Sequence, residues 1–298
     1  MADGHVPVLF QEILGLLAPA PGDVFLDGTV GAGGHAEGIA ERIGPDGLLV
    51  CADADPAMLS MAAERLRRFP WARMVHADFS GLGTLRDAAG GRMFDGMLLD
   101  LGLSSPQLDD PSRGFSFRGD GPLDMRRDPG AVGADAREIL RKGSERELAD
   151  IFYRYGEERF SRRIARAIVA KRRETPIERT VQLADLVRSA IPRKAWPRAI
   201  HPATRAFQAL RIAVNRELES LSAFLDGFAG HMAAGGRVAV VSFHSLEDRM
   251  VKLSFRSQAS GPAPVLRVLT RKPVVPREME IERNPRAASA RLRAAVKT

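Results

Sequence analysis

The run Val24-Phe25-Leu26-Asp27-Gly28-Thr29-Val30-Gly31-Ala32-Gly33-Gly34-His35 constrains the fold of this chain more than any other stretch. A short apolar segment ends in an acid, four glycines follow within seven residues, and a helical pattern takes over from His35 to Ile43. Leu48 to Cys51 predicts a second strand, with Asp53 just beyond it. Strand, glycine turn, helix and strand is the layout of a parallel α/β unit. In such a unit the glycines let backbone pass close to a ligand, and an acid about 20 residues further on holds a ribose hydroxyl.

The spacing narrows the ligand. Gly28, Gly31, Gly33 and Gly34 run G-x-x-G-x-G-G rather than G-x-G-x-x-G. Asp27 lies on the turn itself, where its carboxylate would repel a pyrophosphate. S-Adenosylmethionine has no phosphate and carries a sulfonium and an ammonium, so the turn favours it over a dinucleotide. Neither a G-x-x-x-x-G-K-[ST] phosphate loop nor a G-x-S-x-G elbow occurs.

The first hundred residues keep alternating. Strands are expected at Val24–Leu26, Leu48–Cys51, Arg73–His76 and Met93–Leu99, with helices at His35–Ile43 and Pro56–Phe69. The alternation stops at Ser104. A loop rich in Gly, Pro, Asp and Arg runs to Gly133, followed by helical patterns. Phe160, Ile164 and Ile168 mark one of these, and Thr180 is expected to cap another that Pro192 ends. One long helix is expected from Phe207 to Phe228, on a 3–4 spacing through Leu210, Val214, Leu218, Leu221 and Leu225. Gly235-Gly236 then turns the chain into a buried strand at Arg237–Phe243, and last strands lie near Val265–Leu269 and Arg291–Ala295. The expected fold class is α/β, a Rossmann-like and mainly parallel sheet from residues 1–103 and 202–298, carrying an inserted, mainly helical subdomain at 104–201.

The single cysteine excludes an internal disulfide framework and a cysteine-rich zinc site, and six scattered histidines show no ligand spacing. No metal is expected. The longest apolar stretches, such as Val238-Ala239-Val240-Val241, are strand-length, and the N-terminus lacks a basic-then-apolar signal. The expectation is a cytoplasmic protein with no membrane partner. Charge is uneven. Residues 1–100 hold 7 Lys/Arg against 14 Asp/Glu, residues 101–200 hold 21 against 15, and residues 201–298 hold 16 against 8. An acidic cofactor-binding part joined to a basic remainder points to a polyanionic partner.

Several further stretches, in order, carry a resemblance that covers nearly the whole chain. They are Asp27-Gly28-Thr29 through Gly33-Gly34-His35, Asp53-Ala54-Asp55-Pro56, Leu98-Leu99-Asp100-Leu101-Gly102 and Ser104-Ser105-Pro106-Gln107-Leu108-Asp109. Arg113-Gly114-Phe115-Ser116-Phe117, Gly121-Pro122-Leu123-Asp124-Met125-Arg126 and Tyr155-Gly156-Glu157-Glu158-Arg159 follow. His201-Pro202-Ala203-Thr204-Arg205, Ser242-Phe243-His244-Ser245-Leu246-Glu247-Asp248-Arg249 and Asn284-Pro285-Arg286 complete the set. Together they resemble the bacterial 16S ribosomal RNA (cytosine-N4)-methyltransferases, class I S-adenosylmethionine enzymes with an inserted helical domain. Ala32 and Ala288 depart from the pattern, standing where family members often carry arginine.

The resemblance implies N4-methylation of a cytidine in the decoding region of 16S rRNA, with S-adenosylmethionine as cofactor and the small ribosomal subunit as partner. It assigns cofactor contacts to Gly33, Gly34, His35, Asp53, Phe79, Asp100 and Gln107. Asp55 is the competing acid for the ribose, ranked lower because it lies beyond the strand end. Methylating an amine needs acceptors for its hydrogens and alignment of the nitrogen. It needs no enzyme nucleophile, whereas attack at cytosine C5 would need a cysteine, and Cys51 lies within an expected strand. The loop Asp100-Leu101-Gly102-Leu103-Ser104-Ser105-Pro106-Gln107 holds one proline and no adjacent aromatic, unlike the usual Pro-Pro-aromatic loop of amino-methyltransferases. Asp100, or backbone carbonyls of this loop with Ser105 and Pro106, is expected to accept the amine hydrogens or to hold the cofactor's methionine end.

Phe115 and Phe117 could stack on an extruded base or simply pack their Gly-rich loop. Arg162, Arg163 and Arg166, with Arg193, Lys194, Arg198 and the tail from Arg267, are expected to meet RNA phosphates. His244 is read as a structural or substrate-positioning residue. A DNA-directed enzyme and a non-catalytic cofactor sensor remain alternatives, and the sequence leaves a homodimer open.

Overall fold

The computed structural model describes residues 7–198 and 200–298. It divides the chain into two compact units, one formed by residues up to Gly102 together with Leu218–Thr298, the other by Leu103–Glu217.

The first unit begins with α1 (Phe10–Leu17) and then alternates β1 (Val24–Asp27), α2 (Gly34–Ile43), β2 (Leu48–Asp53), α3 (Pro56–Leu66), β3 (Ala72–His76), α4 (Leu82–Ala88) and β4 (Phe94–Asp100). Local chemistry sets these boundaries. Asp55 caps α3 by accepting from the Ala57 N–H at 3.0 Å, and Pro56 occupies the first turn, where no backbone donor is needed.

In the second unit the helices are α5 (Ser105–Asp109), α6 (Ala136–Lys142), α7 (Glu145–Arg154), α8 (Ser161–Glu174), α9 (Thr180–Ala190) and α10 (Thr204–Asn215). The chain then passes through α11 (Glu217–Gly227) into β5 (Met232–Ser242), α12 (Ser245–Gln258), β6 (Leu266–Val268), α13 (Glu278–Arg283) and β7 (Arg291–Lys297). No helix among the described residues is long and apolar enough to cross a membrane.

All seven strands belong to one sheet in the order β3-β2-β1-β4-β5-β7-β6. The first five run parallel, while β7 is antiparallel to both β5 and β6. Because side chains alternate across a strand, neighbouring apolar residues feed opposite faces. Phe25, Leu49, Cys51 and Leu98 pack beneath α1 and α2, whereas Leu26, Val50, Met97 and Leu99 pack against Leu85, Phe224, Phe228 and Phe255 on the other face. Each fully buried Phe contributes about 1.5–3 kcal/mol of transfer free energy. The second unit has a core of its own, including Leu123, Leu140, Phe152, Ile164, Leu183 and Leu210.

Four expectations need correction. The boundary of the inserted segment falls after Glu217, not at 201/202, because the expected long helix from Phe207 to Phe228 is two helices. Arg216 adopts a left-handed conformation (φ 51°) between them. The break is held by polar side chains that another segment recruits. Asn215 donates to the Met125 carbonyl (2.7 Å) and accepts from the Arg127 N–H (2.8 Å), and Glu217 accepts from Arg211 (2.9 Å).

Thr180 is the first residue of α9 and not its cap. Its buried hydroxyl accepts from Gly121 N–H (3.0 Å) and donates to the Gly119 carbonyl (3.1 Å), while Gln182 accepts from the Arg179 N–H. Finally, Gly235 and Gly236 lie inside β5, which begins earlier, at Met232.

Candidate active site

The turn after β1 crosses the carboxyl ends of β2 and β4 and is stitched to both. Gly28 N–H donates to the Leu98 carbonyl (2.9 Å), Val30 N–H to the Ala52 carbonyl (2.8 Å), and Gly31 N–H to Asp53 Oδ2 (2.9 Å). The Asp100 N–H donates to Thr29 Oγ1 at 2.6 Å. Glycine is required sterically in this turn. A Cβ at Gly28 would lie 2.6 Å from Leu99 Cδ2 and 2.9 Å from Phe79 Cβ, and Gly33 enters α2 at φ +84°.

Three carboxylates and an imidazole surround this turn. Asp27 is 1% exposed, and its Oδ1 accepts from the Thr29 N–H at 3.1 Å. Burial pushes its pKa up to about 7; His35 and the Thr29 N–H oppose the rise, and the charges of Asp100 and Asp53 add to it. His35 sits in the first turn of α2 with its ring stacked near Phe10, centroids 6.0 Å apart. Its Nε2 is 3.4 Å from Asp100 Oδ2, yet neither ring nitrogen has a hydrogen-bond partner, and neither does Asp100 Oδ1. Buried polar atoms are normally paired, so this group of unpaired atoms marks a place for a polar ligand.

The donor set fits S-adenosylmethionine. Carboxylates face a sulfonium and an ammonium, while the first turn of α2 presents backbone N–H groups to a carboxylate. Asp53, at the end of β2, accepts from Gly31 N–H and from Asp55 N–H (2.8 Å). The competing acid Asp55 is fully buried and occupied as the cap of α3. Phe79 is buried, packing edge-to-face on Phe224 with centroids 6.0 Å apart, so it floors the turn from within the core. Cys51 is buried on β2, and burial together with Asp27 holds its thiol well above its ordinary pKa.

Two residues of this arrangement escaped the sequence reading. Thr29 ties the turn to β4, and Phe10 stacks on His35. The Asp27-Gly28-Thr29 motif contained the first signal; the second comes from a helix distant in sequence.

Within the second unit, Ser105, Pro106 and Gln107 form the first turn of α5. Gln107 is buried, and its Oε1 accepts from the Ser104 N–H (2.9 Å) and hydroxyl (3.1 Å), closing a capping box. Phe115 is only 6% exposed, in the core with Arg113 over its ring; of its two expected roles, packing is the one the structure displays. Phe117 is half-buried between His201 (4.7 Å) and Phe207 (4.8 Å). Arg162, Arg163 and Arg166 share the exposed face of α8, with Arg166 close to Glu145. Arg172, on the same helix, instead donates to the Leu140 and Gly143 carbonyls.

Of the two expected roles of His244, structural and substrate-positioning, the structure displays the structural one. His244 is the N-cap of α12; its Nδ1 accepts from the Glu247 N–H, and its Nε2 lies 3.2 Å from Glu247 Oε1. The ring thus starts a helix through Nδ1, while its buried Nε2 has no hydrogen-bond partner.

Comparison with known proteins gives the family. The chain is 52% identical to Ribosomal RNA small subunit methyltransferase H of Trichlorobacter lovleyi, over 98% of both chains. It is 50% identical to the protein of that name from Geobacter sulfurreducens, over 100% of both. The Anaeromyxobacter dehalogenans relative is 52% identical, over 98% of this chain and 97% of its own. The profile of the MraW methylase family matches residues 2–298. The chain belongs to the MraW methylase family.

Proposed function

We propose that the chain transfers a methyl group from S-adenosylmethionine to the N4 amine of a cytidine in the decoding region of 16S rRNA. The observation that carries this reading is the grouping of His35, Asp53 and Asp100 around a buried Asp27 at the carboxyl ends of β1, β2 and β4, with both His35 ring nitrogens lacking hydrogen-bond partners. The relatives' name supplies the small-subunit RNA.

When bound, the cofactor supplies an electrophilic methyl on a sulfonium. The chain's own residues do the rest. Gly33 and Gly34 allow close backbone approach, Asp53 holds the ribose, and Phe79 supports the adenine side from beneath. Asp100 has a free Oδ1 to accept an amine hydrogen, which helps the delocalised nitrogen become tetrahedral. The resemblance gives the loop of Ser105, Pro106 and Gln107 the remaining amine and cofactor contacts. The methylated amine then loses its extra proton to water. A buried Cys51 with a raised pKa is poorly suited to attack a ring carbon, which favours nitrogen as acceptor. Phe117 contacts the extruded base, and Arg162, Arg163 and Arg166 hold phosphates.

The test uses methyl-labelled S-adenosylmethionine with small subunits, naked 16S rRNA and DNA in parallel, followed by mass mapping of the labelled nucleotide. Label on a cytidine N4 of small-subunit RNA is expected. Cofactor binding without transfer to an unmethylated substrate would replace the enzyme by a sensor. A cytoplasmic location belongs to the same reading, as does a homodimer, which sedimentation velocity checks.

A further inference from the structure

The second unit has a groove of about 570 Å³ where the end of α8 and the length of α9 face the segment after α9. Its apolar wall is Pro176, Ile177, Leu186 and Trp196, and Lys171 and Arg188 stand at its rim. Trp196 leaves 36% of its surface exposed, an open area for so large an aromatic ring. The ring is nonetheless fixed in place. Its Nε1 donates to the Ile191 carbonyl at 3.1 Å, and the Arg193 guanidinium sits 5.9 Å over it. A locked, open indole is a surface prepared for stacking.

Charge selects the occupant. From Lys171 to Arg198 the chain holds eight Lys/Arg and three Asp/Glu. Two of those acids are already engaged, Glu174 with Lys171 and Asp185 with Arg188. Arg173, Arg193, Lys194 and Arg198 have no carboxylate partner among the described residues, so the segment carrying this aromatic and aliphatic floor is cationic, with Arg193 beside the indole and Asp185 the one acid on the lining. An acidic peptide would use the rim and leave the indole idle. A duplex hides its bases from a groove this small, whereas single-stranded nucleic acid uses both features.

We propose that this groove takes one unpaired nucleotide of the RNA substrate, its base against Trp196 and the flanking phosphates at Lys171, Arg188 and Arg193. The proposal rests on the reading that the substrate is RNA and adds a recognition point on α8 and α9, outside the acid-lined turn. Stacking on one aromatic ring is worth about 1–3 kcal/mol per base, so Trp196→Ala should weaken RNA binding roughly 5- to 150-fold.

The experiment uses the full chain with Trp71→Phe, which leaves Trp196 as the only tryptophan. A single-stranded 12-nucleotide RNA is titrated in while Trp196 emission and, separately, the anisotropy of dye-labelled RNA are followed. Emission should be quenched in step with binding and recover as salt is raised. Trp196→Phe should keep most of the affinity that Trp196→Ala loses, with S-adenosylmethionine binding by calorimetry unchanged in both. RNA binding with unaltered emission would overturn the proposal, and so would equal affinity of the Ala and Phe variants. Equal quenching by duplex RNA or by polyglutamate would also overturn it. Quenching without methyl transfer to any RNA would instead overturn the enzymatic reading and leave the groove standing.

Discussion

Asp27 carries the largest electrostatic cost described in the first unit, and that cost depends on pH. Its folded pKa is raised from 3.8 to about 7. Between those values the unfolded chain has lost a proton that the folded chain retains, so stability falls as pH rises through this window and levels off above it. The contribution of the group is up to about 4 kcal/mol. Urea unfolding from pH 5 to pH 8 should show the wild type losing stability relative to Asp27→Asn, and parallel curves would refute the assignment. Asp100→Asn should lower S-adenosylmethionine affinity and kcat at least about tenfold while RNA binding persists, measured by calorimetry and filter binding. At this scale the sequence was readable where chemistry is tied to backbone geometry. The glycine turn, Asp53 and Asp100 can occupy few other places, because strand ends fix them. Phe115 and His244 were less legible, since rings also fill cores and imidazoles also cap helices, and nothing local distinguishes those uses.

At the scale of an element, His244 starts α12. Removing its cap from α12 by His244→Ala should cost about 1 kcal/mol of stability, read as a lower urea midpoint, with KM for RNA unchanged. A rise in KM at unchanged stability would return His244 to the substrate site. The strands were legible because short apolar runs of the right length are read the same way by eye and by a sheet. The break at Arg216 was not. Leu210, Val214, Leu218 and Leu221 keep a helical spacing straight through it, and the decisive partners, Met125 and Arg127, lie far away in sequence. Periodicity reports which face is buried; it does not report that two helices bury their faces in different cores.

At the scale of the molecule, charge is divided between cofactor and polymer. The acids gather around the glycine turn, while the exposed face of α8 presents Arg162, Arg163 and Arg166. Replacing all three with Gln should weaken substrate binding and reduce the log–log salt slope by about two, since each phosphate contact on a single strand contributes about 0.7. Methylation of assembled subunits that stays unchanged across a salt titration would remove α8 from the interface.

Where the second unit interrupts the sheet also governs how the molecule comes into being. Leu98 of β4 must pair with Ala239 of β5, although all of α5 to α10 is synthesised between them. A nascent chain therefore carries one edge of β4 with unmet N–H and C=O groups until β5 arrives. Because the intervening residues have a core of their own, they condense first and shorten the floppy span, each halving of which lowers the closure cost by about 0.6 kcal/mol. In pulse-labelled hydrogen exchange during refolding, the Val240 and Leu292 amides should gain protection after those of α8. The cofactor turn, complete in sequence by Asp100, thus waits for the C-terminal strands before the sheet beneath it is whole.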